Sequence, residues 1–97
     1  MNPDDGFRVS HSRAVAEEFR RLLDRARERG VLGLTLRASR WIMEELALTP
    51  LQFGESREYR QHLDLFMRIG FAGPVYVEFA VHVPSRQVFI RRFGLRG

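Results

Sequence analysis

The side chains best suited to chemistry lie near the C-terminus, in three alternating segments at residues 63–70, 74–83 and 86–93. Arg68 and Arg91 bring guanidinium groups to either side of the Glu78 carboxylate, and Arg96 adds a further cation. Guanidinium forks match phosphate and carboxylate geometry, so Arg68 and Arg91 could hold phosphates. His82 is the candidate proton carrier, with Glu78 as an alternative. Phe66, Tyr76 and Phe89 supply rings on which bases could stack, with Phe93 on the same face. Arg68, Tyr76, Glu78, Phe89, Arg91, Phe93 and Arg96 are therefore the candidate binding residues, and Arg68, Arg91 and His82 the candidate catalytic ones.

A period near two in each segment predicts strands with one buried face. The breaks at 70–74 and 84–85 contain Gly70, Gly73, Pro74, Pro84 and Ser85, which are turn residues. An antiparallel meander follows. If Pro84-Ser85 is a two-residue hairpin tip, Val81 pairs with Val88 and Phe79 with Ile90 on a core face. The other face then pairs His82 with Gln87, Ala80 with Phe89, Glu78 with Arg91 and Tyr76 with Phe93. The preceding strand is expected to give Leu63, Leu65, Met67 and Ile69 to the core, and Asp64, Phe66 and Arg68 to the open face. That open face is either a solvated ion-pair network around Glu78 or a platform for bases and phosphates.

Upstream, residues 1–6 are polar and read as a loose tail, leaving 7–97 as a single domain. Phe7-Arg8-Val9-Ser10 is a short strand, and Ser10 or Ser12 could cap a helix. Val15, Phe19, Leu22, Leu23 and Ala26 form a helical stripe closed by Gly30. Leu34, Ala38, Trp41, Ile42 and Leu46 form the stripe of a second helix ended by Pro50, with Trp41 expected in the core. The short connection between the two favours an antiparallel helical hairpin. Arg57, Tyr59, Arg60 and His62 read as a charged connection that could contain a short turn or strand, with a composition that also suits RNA contacts.

Ninety-seven residues with 44% hydrophobic content support one modest core. The chain has no cysteine, which excludes disulfides and thiolate metal sites. His11 and His62 have no metal-ligand spacing, so neither a metal nor an organic cofactor is implied. No signal peptide or membrane-length apolar run is present in the sequence, so a soluble cytoplasmic protein is expected. The formal charge is +4, and all 16 basic residues are arginine. This suits either nucleic acid or an acidic protein, although an all-arginine usage also follows from coding bias.

A strand, a helical hairpin, a three-stranded meander and a basic tail in that order resemble the RelE/ParE superfamily of bacterial toxins. The resemblance spans residues 7–96. It rests on the element order, the helix-ending Pro50, Arg68-Ile69-Gly70, the segment from Tyr76 to Val81, and Phe93-Gly94-Leu95-Arg96 at the close. It implies an α+β fold of order β-α-α-β-β-β, with the hairpin on one face of an antiparallel sheet. It also implies a toxin neutralised by an antitoxin, acting on the ribosome and mRNA or on gyrase. Where family members cleave mRNA, a basic cluster works with a C-terminal tyrosine or histidine. Here Leu95 stands at the histidine position and Phe93 lacks a hydroxyl, so binding is expected before catalysis. The alternative is a non-toxic protein- or RNA-interaction module that keeps the fold.

Overall fold

The computed structural model describes residues 6–97. The elements run β1 (Arg8–His11), α1 (Arg13–Glu28), α2 (Leu32–Leu48), β2 (Glu55–Arg60), β3 (Leu65–Ala72), β4 (Val75–His82) and β5 (Gln87–Leu95). The five strands form one sheet ordered β1-β5-β4-β3-β2. This is the expected α+β arrangement with one strand more, because the charged connection at 55–60 pairs along β3 as an edge strand. The sheet is antiparallel from β5 to β2, while β1 lies parallel to β5 and makes it mixed. Apart from Gly6, whose carbonyl accepts from Arg86 Nε at 3.1 Å, the expected tail lies outside the described residues.

α1 forms as its stripe predicts. Ser12 is the N-cap, accepting from the Val15 N–H at 3.2 Å. Gly30, at φ +74°, lets the Val31 N–H turn back to the Ala26 carbonyl. α2 is different. Its buried positions are Thr35, Ser39, Ile42 and Leu46, whereas Leu34 and Trp41 face outward at 52% and 45% exposure. The expected stripe is thus rotated. Polar Thr35 can be buried because its hydroxyl bonds the Val31 carbonyl at 2.8 Å. Trp41 is no core residue; it leans edge-on against Phe53, which stacks in turn on Phe79.

The core lies between the helices and one face of the sheet. Val15, Leu22, Ile42 and Leu46 meet Val75, Val77, Phe79, Val81, Val88, Ile90 and Phe93. The register of β4 with β5 is as expected from His82↔Gln87 to Phe79↔Ile90. Val83 and Arg86 do not continue the ladder: they close a wider turn in which the Arg86 N–H donates to the Val83 carbonyl at 3.0 Å. Beyond Phe79 a β-bulge makes Arg91 and Arg92 oppose Glu78 together, so that Arg92 is its partner. From there on, β5 is shifted by one. Phe93 faces Val77 in the core, 6% exposed and edge-on to Phe19, and Gly94 replaces it opposite Tyr76.

The bulge also secures α1. β1 ends opposite Ile90, so the outer edge of β5 beyond it has no strand neighbour. Glu18 fills the gap, its Oε1 accepting from the Phe93 N–H at 2.9 Å. Among the described residues, no helix is long and apolar enough to cross a membrane.

Among the described residues, Ser39 Oγ is buried without a hydrogen-bond partner. Alanine removes that desolvated hydroxyl and is the better helix former. Ser39→Ala is expected to stabilise the protein by about 0.5–1 kcal/mol, read as a rise of several degrees in thermal melting.

Candidate functional site

Backbone pairing decides which candidates share a face, because residues directly opposite one another project to the same side. β3 pairs with β4 as Phe66↔Val81, Arg68↔Phe79 and Gly70↔Val77. These are core-side residues of β4, so Phe66 and Arg68 lie on the helix side of the sheet, opposite to expectation. Met67, Ile69 and Phe71 take the helix-free face, beside Ala80, Glu78 and Tyr76. Leu63 and Asp64 precede the strand, and Leu63 is exposed.

Arg68 is consequently separated from Glu78 and Arg91 by the sheet itself. It holds the loop before β2, donating from Nε to the Phe53 carbonyl at 3.2 Å and from a terminal nitrogen to the Gly54 carbonyl at 3.0 Å. That loop approaches β3 so closely that a Cβ on Gly54, at φ +77°, would lie 2.3 Å from the Ile69 oxygen. Only glycine fits there. The expected grouping of Arg68, Glu78 and Arg91 does not form.

His82 is also engaged locally. Its Nδ1 lies 2.5 Å from Ser85 Oγ and accepts from the Ser85 N–H at 3.3 Å, which ties the β4–β5 turn. Four residues separate it from Glu78 along β4, about 13 Å at ~3.3 Å per residue. The two cannot share a proton. Leu95 is half-buried and packs against the core. Among the described residues, Glu78 is the titratable group that shares the hollow with Arg91 and Arg92, and Arg92 Nε already sits 3.6 Å from its carboxylate.

What the sheet does assemble is a graded surface on its helix-free side. One row across the strands reads Ser10, Phe89, Ala80, Met67 and Glu58; the next reads Arg92, Glu78, Ile69 and Glu55. A third reads Gly94, Tyr76 and Phe71. The β5 side is basic and the centre apolar, while the β2 side carries Glu55 and Glu58, the latter paired with Arg60 at 3.1 Å. Arg91, Arg92 and Glu78 line a shallow hollow of about 130 Å³. Arg96 lies 4.9 Å from the centre of the Phe71 ring, a cation–π contact that leaves its charge at the surface. Gly94 lets the Tyr76 ring lie flat over β5, since a Cβ there would come within 2.3 Å of it. Of the seven expected binding residues, Tyr76, Glu78, Phe89, Arg91 and Arg96 are on or beside this surface, Arg68 is behind it, and Phe93 is in the core. Arg92 joins it, brought beside Glu78 by the bulge.

No protein-family model matches the chain, and neither does any curated protein or solved structure.

Two further features bear on chemistry. A cavity of about 360 Å³ opens between α1, α2 and β5, lined by Val15, Phe19, Met43, Ile90 and Phe93 with Arg20 and His11 at its edge. At the β2–β3 turn, the Tyr59 hydroxyl donates to Asp64 at 2.8 Å. That hydrogen bond, with some desolvation and the carboxylate charge, holds the phenol above its usual value near 10. Among the described residues, no group of three or more His, Asp or Glu could hold a metal ion.

Arg68 and Arg91 should respond oppositely to truncation. Arg68→Ala, which frees two loop carbonyls, is expected to lower urea-unfolding stability by about 1–3 kcal/mol. Arg91→Ala, on an exposed side chain without an ion pair, should stay within about 0.5 kcal/mol of the parent.

Proposed function

We propose that this chain is a toxin-like protein of the RelE/ParE kind that acts by binding a macromolecular target and is neutralised by an antitoxin. The element order supports the kinship, with β1 and a helical hairpin preceding an antiparallel run of strands. Binding is favoured over mRNA cleavage by one observation above the others: among the described residues, the hollow beside Arg91 and Arg92 holds no imidazole or phenol, and its one carboxylate, Glu78, already lies 3.6 Å from Arg92 Nε. Arg68 is bonded to loop carbonyls, His82 is tied into its turn, and Leu95 is packed against the core. General acid–base catalysis needs a titratable group within hydrogen-bond reach of the reacting oxygen. The β5 side of the helix-free surface, with Arg91, Arg92 and Arg96 beside Glu78, is instead suited to holding an acidic surface of a protein or nucleic acid.

Induced expression in a bacterial host is expected to arrest growth, with relief by co-expression of a small protein encoded beside it. Ribosomes isolated from such cells should carry intact mRNA. Changing Arg91, Arg92 and Arg96 together to glutamate should abolish the arrest while thermal melting stays near that of the parent. Normal growth under induction refutes the toxin reading. A protein or RNA then captured through the same surface would make the chain a non-toxic interaction module.

A further inference from the structure

α2 carries more apolar surface than its own chain covers. Leu34, Trp41 and Leu48 are 52%, 45% and 51% exposed. They recur every seventh residue, so they form one row along the helix, as core positions of a coiled coil do. The buried row of Thr35, Ser39, Ile42 and Leu46 points elsewhere. Beside the exposed row lies a second one, Arg37 and Glu44, again seven apart. Both are exposed, and neither makes an ion pair among the described residues.

These rows read the same when the helix is reversed, with unlike charges exchanged. Laid antiparallel on a second α2, Leu34 meets Leu48 of the other copy at both ends. The two Trp41 rings meet near the middle, and Arg37 faces Glu44 twice. A parallel arrangement would set Arg37 beside Arg37 and Glu44 beside Glu44. Such self-complementarity is what a two-fold interface demands, since one surface must serve as both partners. We propose that the outer face of α2 is a homodimer interface in which two copies of this chain pack antiparallel about an axis near Trp41. It uses a surface separate from the arginine face of β5, which both copies leave free.

A single helix pair is at the small end of stable interfaces, which sets the association in the micromolar range. Analytical ultracentrifugation of the full chain should show a reversible dimer between about 1 µM and 1 mM. Trp41 is the only tryptophan, so its emission should shift to the blue over the same concentrations. Arg37→Glu alone and Glu44→Arg alone should each weaken association about ten-fold or more. The double variant should regain most of the affinity, with helix content by circular dichroism unchanged in all three. A chain that stays monomeric throughout, a dimer indifferent to the single changes, or a double variant no better than the singles overturns the proposal. Leu34→Ala, which leaves the core untouched, gives an independent check: it must weaken the dimer without lowering the melting temperature.

Discussion

The extra residue in β5 is the constraint on which most of this structure depends. With Arg91 and Arg92 both opposite Glu78, everything beyond them on β5 changes sides. Phe93 enters the core against Phe19, which gives α1 an aromatic partner on the sheet. Gly94 comes under Tyr76, where any side chain would push the ring away. The Phe93 N–H reaches Glu18 at a point where β1 has ended, so helix and sheet are joined by a charge-assisted bond as well as by packing. A regular strand would put Phe93 on the surface and Arg92 toward the core, at the cost of desolvating a guanidinium. The bulge thus places two adjacent arginines near one carboxylate while preserving the hydrophobic layer behind them.

The limits of sequence legibility follow from the same physics. α1 was legible because its apolar stripe is strict and its ends carry Ser12 and Gly30. β4 was legible because both core residues and turn residues agree on its register. β3 was not, because Leu65, Phe66, Met67, Ile69 and Phe71 make both of its faces apolar, and periodicity alone cannot choose between them. The deciding signal was the turn. Ala72 pairs with Val75 across Gly73-Pro74, with Gly73 at φ +51°. A two-residue connection there fixes even positions of β3 against odd positions of β4 and sends Arg68 to the helix side. The β5 bulge left no comparable mark, since Ile90-Arg91-Arg92-Phe93 fits either a strand or a bulged strand. β2 is legible only as one option within a charged connection, because Glu55-Ser56-Arg57-Glu58-Tyr59-Arg60 is an edge strand whose charges and bulge protect it from further pairing.

α2 shows how a propensity argument can find a helix and still misorient it. An abundance of apolar residues at several helical spacings offers more than one stripe, and burial selects by fit rather than by hydrophobicity. Small Thr35 and Ser39 allow α2 to approach the sheet, where Leu34 or Trp41 would hold it off. The displaced large residues are then presented outward. That outcome is unfavourable for an isolated surface and is the usual mark of a helix with a partner.

The arginines separate in the same way. Arg68 holds the Phe53–Gly54 carbonyls, Arg86 lies over the Phe7 ring with its Nε on the Gly6 carbonyl, and Arg29 reaches the Gly97 carbonyl. These three fasten loops and termini to the body of the fold, a task for which a planar fork with several donors is better than an ammonium group. A basic composition therefore overstates the charge available to a partner. On the helix-free side the charge that remains is local: Arg91 and Arg92 at the bulge, and Arg96 braced on Phe71. Their position on one side of an apolar strip, with Glu55 and Glu58 on the other, gives the surface a direction as well as a sign. An acidic partner that lies across the strands meets favourable charge at β5 and repulsion at β2, so only one orientation satisfies both ends.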